Sequence, residues 1–331
     1  MKIYVSLFIV IAYVLVSCER THVNDDITKT YGLPDKSSEY QKLKTQEPES
    51  LSDQALYNRV LTLWNTAYRE LKLPTSKGTA HIIVSGPTDG PPVILLHGMS
   101  ADSTMWYPNI EALSINHRVY AIDDILGPGK SELNHDEESL EILISWYFEI
   151  FDALELQKPI LIGASQGGWI ATNLALTKPH RVKKLILLSP AQTFTWLEPS
   201  LGILSNLLYA LNPQREGLRK NLATLSSNVE GIEQIYIDHF FRTITTASTS
   251  PLLMDMKPFD DTQLSSLALP VLFLAGDNDL FNNQQSVDRA IKILPSVQAE
   301  IVADSGHFIN VDQAGLINGK IMAFIAGRQK Q

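Results

Sequence analysis

Ser165 is the centre of a Gly-x-Ser-x-Gly pentapeptide, residues 163–167, at a point where an apolar run meets a helical pattern. Residues 158–162 are predicted to form a short buried strand, and residues 166–177 a helix that ends before Pro179. A serine on such a tight strand-to-helix turn points its hydroxyl away from the backbone, and flanking glycines avoid crowding within the turn. This placement predicts that Ser165 is a nucleophile; a structural tight turn is the alternative.

A nucleophilic Ser165 requires two partners. A serine hydroxyl is weakly nucleophilic at neutral pH, so acyl transfer needs a base to take its proton and an acid to orient that base. The partners should follow later strands, in the chain order serine, acid, histidine. Asp279 lies four residues after one predicted strand, and His307 lies five residues after the next. We therefore predict Asp279 as the acid and His307 as the base. Asp277 and Asp304 are interpreted as turn residues that accept backbone N–H groups.

A candidate oxyanion loop follows a continuous apolar run, residues 93–96. It begins with His97, Gly98 and Met99, and glycine lets a backbone approach a ligand closely. In an enzyme with a serine nucleophile, a loop at this place supplies a backbone N–H to the oxyanion hole. An ordinary loop at the end of a strand is the alternative.

Residues 127–131 have the sequence Gly-Pro-Gly-Lys-Ser, which looks like the end of a phosphate-binding P-loop. That motif needs a glycine five positions before Gly129, where this chain has Asp124. The sequence therefore argues against a nucleotide site and favours a glycine-rich loop at the rim of a pocket.

Predicted strands and helices alternate along most of the chain. Continuous apolar strands are typical of a parallel sheet covered on both faces. We therefore predict an α/β fold with a mostly parallel central sheet flanked by helices. Residues 52–71 are predicted to form one amphipathic helix that ends before Pro74. The other predicted strands are 81–85, 93–96, 118–122, 183–188, 271–275 and 299–302, and further predicted helices are 139–156, 283–294 and 311–325.

The alternation of strands and helices stops between residues 191 and 268. Helical stretches such as 201–211 and 232–244 lie there, with many aromatic residues. We interpret residues 191–268 as a helical cap inserted over the catalytic face of a core formed by residues 51–190 and 269–331. A separate small domain with its own core is the alternative.

The composition excludes several classes of protein. The chain has 331 residues, of which 44% are hydrophobic and 19% are charged, so it is neither disordered nor fibrous. The net charge is −9, and no basic cluster is longer than Lys183 and Lys184, so we expect no nucleic-acid partner. With a single cysteine, the chain forms no intramolecular disulfide.

The single cysteine, Cys18, ends an apolar run at residues 3–16 that is too short for a comfortable membrane span and is typical of a secretory signal. Residues 15–18, Leu-Val-Ser-Cys, resemble the lipobox of bacterial lipoproteins, in which the signal is cleaved before the cysteine and that cysteine is acylated. The resemblance implies a signal peptide, residues 1–17, and an extracytoplasmic membrane anchor at a lipidated Cys18. Polar residues 18–50 are interpreted as a flexible tether. A plain signal peptide or an N-terminal anchor helix is the alternative.

Five motifs over about residues 55–327 resemble those of the α/β-hydrolase family, in the same order. Residues 96–99 and 103–110 further resemble bacillar carboxylesterases that cleave bulky aryl-acid esters. The five motifs are His97-Gly98-Met99, Asp124-Ile-Leu-Gly127-Pro-Gly129-Lys-Ser131, Gly163-Ala-Ser165-Gln-Gly167, Gly276-Asp-Asn-Asp279 and Ser305-Gly306-His307.

The resemblance implies a fold and a mechanism. The fold is the α/β-hydrolase fold with an inserted helical cap. Ser165 attacks an acyl carbonyl, His307 takes the serine proton and later gives it to the leaving alcohol, and Asp279 holds the imidazole. The N–H groups of Met99 and Gln166 stabilise the oxyanion.

The expected function is that of a carboxylesterase that cleaves small to medium carboxylic esters through an acyl-enzyme, without a metal or an organic cofactor. The same triad could act on a lactone, an amide or a carbon–carbon bond, because the pocket selects the bond. A non-catalytic, surface-anchored binding module is an alternative from a different class, and the intact set of Ser165, Asp279 and His307 argues against it. The sequence leaves the oligomeric state and the physiological substrate open.

Overall fold

A computed structural model of the chain describes residues 46–134, 138–246, 250 and 256–327. The strands in these residues are β1 (Tyr68–Thr75), β2 (Gly78–Ser85), β3 (Pro92–Leu96), β4 (Arg118–Ile122), β5 (Glu132–Leu133), β6 (Ile160–Ala164), β7 (Lys184–Leu188), β8 (Val271–Gly276) and β9 (Val297–Val302). The α-helices are α1 (Asp53–Val60), α2 (Ile110–Ser114), α3 (Leu140–Ala153), α4 (Gln166–Thr177), α5 (Leu201–Leu211), α6 (Arg215–Leu222), α7 (Gln234–Thr246), α8 (Asp261–Ser265), α9 (Gln284–Ile293), α10 (Ile309–Asp312) and α11 (Ala314–Ile325).

All nine of these strands belong to one sheet with the order β1-β2-β4-β3-β6-β7-β8-β9, in which β5 pairs with β2. Strand β2 pairs antiparallel with β1, β4 and β5. All neighbouring pairs from β4 through β3, β6, β7 and β8 to β9 are parallel. The predicted mostly parallel sheet is confirmed. Leu96 pairs with Gly163, so the loops after β3 and β6 begin side by side at one edge of the sheet.

Alternate residues of the central strands pack into two hydrophobic clusters, one on each face of the sheet. Ile94 and Leu96 of β3 belong to one cluster, whereas Val93 and Leu95 belong to the other. Helices α3 and α4 complete the first cluster, and α1 and α11 complete the second. Burying one aliphatic side chain stabilises the folded state by about 1.5–3 kcal/mol. Helices on both faces therefore explain why these strands are apolar throughout.

The predicted single helix over residues 52–71 is wrong. Only α1 is helical; a 3₁₀ turn follows at Leu61–Leu63, and β1 then pairs with β2 along its whole length. The indole of Trp64 is fully buried and donates a hydrogen bond to Ser85 Oγ (3.0 Å). Strand pairing and this burial outweigh the helical spacing of the apolar residues. Pro74 lies in β1 at the edge of the sheet, where a missing N–H is tolerated.

Residues 191–268, here called the insertion, place α5, α6, α7 and α8 between β7 and β8. Helix α7 packs against α1. Arg242 of α7 donates hydrogen bonds to the carbonyl oxygens of Pro48 and Leu51, at 3.2 and 3.0 Å. The insertion is thus attached to the first described residues of the chain.

The predicted signal peptide, Cys18 and the predicted tether as far as residue 45 lie outside the described residues. The last tether residues, 46–50, belong to the folded body. Pro48–Ser50 form a 3₁₀ turn, and the carbonyl of Gln46 accepts a hydrogen bond from the Arg59 guanidinium (3.0 Å). In the part of the chain that the structure describes, every helix is too short or too polar to cross a membrane.

A buried cluster of charged side chains joins α1, β1, β2 and the loop after β4. His81 contacts Glu70 Oε2 through Nε2 (2.7 Å) and Asp123 Oδ2 through Nδ1 (2.8 Å). Asp123 also accepts hydrogen bonds from the Tyr57 hydroxyl (3.2 Å) and the Lys130 backbone N–H (2.8 Å). Burial alone would lower the pKa of His81, but the Asp123 and Glu70 carboxylates raise it to about 9. Burial alone would raise the pKa of Asp123, and His81 reverses that and lowers it. The cluster therefore holds His81 as a buried cation.

We expect the free energy of unfolding to decrease as the pH rises from about 6.5 to about 9. A histidine whose pKa is raised on folding stabilises the protein fully below its unfolded pKa, about 6.5, and loses that contribution as the pH passes its folded pKa. The decrease should be on the order of 3 kcal/mol, measured by denaturant unfolding across this pH range. His81→Gln should abolish the decrease, whereas His180→Gln, at an exposed position, should keep it. A decrease that persists in His81→Gln would contradict this account.

Candidate active site

Ser165 lies on the tight turn between β6 and α4. Its backbone has φ 52° and ψ −120°, a conformation that residues other than glycine rarely adopt. A Cβ on Gly163 would lie 2.2 Å from the carbonyl oxygen of Gly167, and a Cβ on Gly167 would lie 2.2 Å from that of Leu96. The two glycines of the pentapeptide are therefore a steric requirement of the turn that presents the serine.

The structure brings Asp279 and His307 to Ser165. His307 Nε2 lies 2.8 Å from Ser165 Oγ, and His307 Nδ1 lies 2.9 Å from Asp279 Oδ1. With Nδ1 protonated, the ring donates to the carboxylate and Nε2 accepts from the serine hydroxyl. The side chain of Asp279 is fully buried, and that of His307 is 7% exposed. The three side chains thus form one hydrogen-bonded chain that leads from a buried carboxylate to the serine oxygen.

The acid and the base are held in place by their own neighbours. Asp279 Oδ1 accepts a hydrogen bond from the Phe281 backbone N–H, and its Oδ2 accepts one from the Asn282 side-chain amide, both at 2.9 Å. The Phe281 ring packs on the His307 ring, with centroids 4.2 Å apart. Both side chains are therefore oriented before any substrate binds.

Asp277, the other carboxylate after β8, binds backbone N–H groups instead of the catalytic histidine. Its two oxygens accept hydrogen bonds from the backbone N–H groups of Asp304 and Ser305, each at 3.1 Å. Asp304 has φ 55° in the turn that leads to His307. These contacts fit the interpretation of Asp277 as a turn residue, and they connect the loops that carry the acid and the base.

The loop after β3, residues 97–102, is here called the oxyanion loop. A Cβ on Gly98 would lie 3.3 Å from Ser165 Cβ. The backbone just before Met99 therefore lies against the serine side chain. Gln166 is the first residue of α4, and the first N–H groups of a helix have no acceptor within it. Gln166 thus follows Ser165 directly in the chain, and Met99 follows Gly98, which lies against the Ser165 side chain.

The insertion holds the oxyanion loop from the other side. Thr243 of α7 donates a hydrogen bond to the carbonyl of Ser100 (2.6 Å), and His239 Nε2 lies 2.5 Å from Asp102 Oδ2. The side chains of His239 and Asp102 are 5% and 1% exposed. The loop that carries Met99 is therefore fixed by buried contacts from a different part of the chain.

Sequence reasoning missed these contacts, because the partners are 143 and 137 residues apart. From the sequence, His239 is placed only within residues 191–268, the segment interpreted as a cap. The local signal available was the spacing of His239 and Thr243, which are four residues apart and so share one face of a helix.

The Gly-Pro-Gly-Lys-Ser loop folds back on the carboxylate that precedes it. Gly129 has φ 123°, and a Cβ there would lie 2.5 Å from Asp123 Cγ. The Lys130 N–H donates to the Asp123 carboxylate (2.8 Å), and the Ser131 hydroxyl donates to the Asp123 carbonyl (2.6 Å). Gly129 therefore makes room for the Asp123 side chain of the protein itself. This arrangement agrees with the prediction that the loop is not a phosphate-binding P-loop.

A cavity of about 730 Å³ opens between residues 125–133, α1 and α7. Asp102 and His239 line it, whereas Ser165 and His307 do not. It therefore adjoins the oxyanion loop without reaching the serine. Among residues 46–134, 138–246, 250 and 256–327, no three His, Cys, Asp or Glu side chains are grouped so that they could hold a metal ion.

The chain is similar to known proteins over most of its length. The sequence profile of a family described as alpha/beta hydrolase fold matches residues 91–228. The chain is 32% identical over 274 residues to the Bacillus subtilis (strain 168) protein named uncharacterized carboxylesterase nap, which covers 81% of this chain and 90% of that protein. It is 31% identical over 280 residues to carboxylesterase YbfK of the same organism, with 82% and 92% covered. The crystal structure of naproxen esterase (carboxylesterase NP) from Bacillus subtilis superposes with a TM-score of 0.77 at 30% identity, over 83% of this chain and 99% of that one.

The two carboxylates after β8 allow a matched test of the acid. Asp279→Asn should lower kcat by about four orders of magnitude, because an amide favours the wrong histidine tautomer and cannot stabilise the imidazolium. Asp277→Asn should keep most of kcat and lower the melting temperature, since it weakens two hydrogen bonds to the loop before His307. Steady-state ester hydrolysis and thermal unfolding of both variants test this assignment. Equal losses of kcat in the two variants would contradict it.

Proposed function

We infer that this chain, which belongs to the α/β-hydrolase family, cleaves small to medium carboxylic esters through an acyl-enzyme intermediate. It is a serine hydrolase of the carboxylesterase type, like the relatives that share 31% and 32% of their residues with it over most of their length. The hydrogen-bonded chain of Asp279, His307 and Ser165 is the observation that carries the proposal. A non-catalytic binding module would not need this chain of contacts to be intact.

The proposed reaction begins at Ser165. Its oxygen attacks the ester carbonyl carbon while its proton passes to His307 Nε2, and Asp279 stabilises the imidazolium that forms. The N–H groups of Met99 and Gln166 donate to the oxyanion, and each such donor typically contributes about 3 kcal/mol to lowering the barrier. The imidazolium then gives its proton to the leaving alcohol, which departs as the acyl-enzyme forms.

Deacylation repeats these steps with water. His307 takes a proton from a water molecule, the water oxygen attacks the acyl carbonyl, and the proton returns to Ser165 as the acid product leaves. The insertion is proposed to act as a cap that forms part of the acyl pocket. Its contacts with Ser100 and Asp102 support this, since they place α7 beside the oxyanion loop.

A panel of substrates within this class identifies the acyl group and the leaving group. A structural relative is named naproxen esterase, so esters of bulky aryl acids belong in a substrate panel beside acetates and butyrates. Lactones, amides and carbon–carbon substrates complete the panel, because the triad itself accepts all of these chemistries.

We further propose that the protein is a bacterial lipoprotein, held at an extracytoplasmic membrane surface by a lipidated Cys18. The support is the apolar run at residues 3–16, the Leu-Val-Ser-Cys sequence that ends at Cys18, and the polar segment that follows. Several acyl chains on one residue would hold the protein firmly at a membrane, where a single chain is marginal.

Loss of the nucleophile tests the enzyme assignment. Ser165→Ala should reduce the hydrolysis of p-nitrophenyl acetate and butyrate to a rate close to that without enzyme, because the acyl-enzyme cannot form. Ser145→Ala, which removes an exposed serine on α3, should leave the rate unchanged. Equal rates for the wild type and Ser165→Ala would overturn the assignment.

Lipidation is tested separately in bacterial cells. A radiolabelled palmitate precursor should enter the wild-type protein but not Cys18→Ala, because no other cysteine is present. The wild-type protein should sediment with membranes and resist extraction by salt and alkali. Label in Cys18→Ala, or an unlabelled wild type, would refute the lipid anchor and leave the catalytic assignment untouched.

A further inference from the structure

Helix α5 presents most of its leucines to solvent, while its partly buried side chains, which lie toward the protein, include Ile203 and Tyr209 as well as Asn206. Leu201, Leu204, Leu208 and Leu211 recur at spacings of three and four, so they share one face of the helix. The exposed fractions of these side chains range from 49% to 86%, and α5 contains no buried residue. A helix of a soluble protein normally turns its apolar stripe inward, and α5 does the opposite.

The inner side of α5 is well fitted to the body of the protein. A Cβ on Gly202 would lie 2.8 Å from Leu280 Cδ2. The Asn206 side chain donates to Thr224 Oγ1 (2.6 Å) and accepts from the Asn221 side-chain amide (2.8 Å). These contacts fix which face of the helix points outward, so the exposed leucines are not the result of a loosely placed helix.

The exposed apolar residues are concentrated at this one place. Of the nine large hydrophobic side chains that are exposed in the described residues, six lie between residues 196 and 211. No Asp, Glu, Lys or Arg occurs between Glu198 and Arg215. We call the five exposed leucines of α5 together with Trp196 the leucine face. The leucine face is made of Trp196, Leu201, Leu204, Leu207, Leu208 and Leu211.

The N-terminal part of the chain joins the body near this face. Arg215, the first residue of α6, forms an ion pair with Glu49 (3.4 Å) and lies four residues after the end of α5. The 28 residues from Cys18 to residue 45 lie outside the described residues, and a chain of that length reaches at most about 90 Å between its ends. A membrane that holds Cys18 is therefore within reach of the leucine face.

The leucine face is also close to the catalytic site. Leu280, on which α5 packs, lies between Asp279 and Phe281 in the chain, and the Phe281 ring contacts the His307 ring. A surface that receives the leucine face would thus lie next to the loop that carries the catalytic acid.

We propose that the leucine face docks on a lipid bilayer and gives the catalytic site access to medium-sized apolar esters that partition into that bilayer. The substrate part of this statement rests on the proposed esterase activity, and the choice of a bilayer rests on the proposed lipid anchor at Cys18. A bilayer fits better than a second copy of the chain, because α5 carries no charged residue and ends four residues before Arg215, which pairs with Glu49 where the chain leads toward Cys18.

The fluorescence of Trp196 reports docking directly. It is 61% exposed, whereas Trp64, Trp106, Trp146 and Trp169 are at most 6% exposed. The full chain is combined with vesicles of phosphatidylethanolamine and phosphatidylglycerol whose acyl chains carry bromine, which quenches indole fluorescence on contact. Docking should quench the Trp196 emission, assigned by its loss in Trp196→Phe, and a chain held only by its tether should show no quenching.

Paired variants distinguish docking through the leucine face from non-specific hydrophobic adsorption to the vesicles. Leu204→Ser/Leu208→Ser should weaken the docking equilibrium by about a hundredfold or more, since each leucine contributes roughly tenfold to partitioning into an apolar phase. Ile115→Ser/Leu316→Ser removes two exposed apolar residues elsewhere and should leave quenching unchanged. Thermal unfolding should be the same in all variants, which shows that they are folded and keeps this test independent of the enzyme assignment. Hydrolysis of soluble p-nitrophenyl acetate should also be unchanged.

Two results would overturn the proposal. One is wild-type Trp196 emission that brominated vesicles do not quench. The other is a dimer by light scattering that Leu204→Ser/Leu208→Ser dissociates, because the leucine face would then bind a second copy. Because docking brings membrane-dissolved esters to the site, the hydrolysis of a medium-chain p-nitrophenyl ester in vesicles should fall in Leu204→Ser/Leu208→Ser while acetate hydrolysis does not. Equal rates for this ester in the wild type and the variant would overturn the substrate part of the proposal.

Discussion

The close contact of three backbone segments at Ser165 is the constraint on which the catalytic site depends. The absence of side chains at Gly163 and Gly167 lets α4 start directly against β6 and against the end of β3. The same contact forces Ser165 to a positive φ and places Gly98 against its side chain. The nucleophile and the oxyanion loop are therefore positioned by one steric arrangement, in which a methyl group at either glycine would collide with a carbonyl oxygen.

A second close contact positions the acid and the base. A Cβ on Gly276 would lie 2.2 Å from the carbonyl oxygen of Ser305, so the loops after β8 and β9 touch where they leave the sheet. Asp277 then bonds to the backbone before His307, and Asp279 bonds to the imidazole itself. Parallel strands bring their carboxyl ends to one edge of the sheet, and these glycines allow the loops there to approach to contact distance. The triad is thus a property of the sheet as much as of its three residues.

Sequence reasoning reached the parts of this arrangement that depend on short segments. The glycines around Ser165 and the apolar runs before Asp279 and His307 are local signals, and the mostly parallel sheet follows from those runs. The single helix over residues 52–71 failed because the apolar spacing there fits a helix, while the partner that makes β1 a strand lies in β2. The buried contact between Asp123 and His81 could not be predicted from the sequence for a similar reason, because His81 lies in β2 and Asp123 in the loop after β4.

The insertion shows the same limit more clearly. Helices α5 and α7 were predicted from their apolar spacing, whereas α6 and α8 were not. The hydrogen bond from Thr243 to Ser100 and the outward direction of the leucines of α5 could not be predicted, because both depend on where the insertion packs. The central claim, that the turn at Ser165 presents the nucleophile, has one direct measurement: mass spectrometric mapping of the adduct formed with a fluorophosphonate ester. The account predicts a single adduct, on Ser165, that forms at a rate strongly reduced in Asp279→Asn. An adduct on another serine, or none on a folded and active protein, would contradict it.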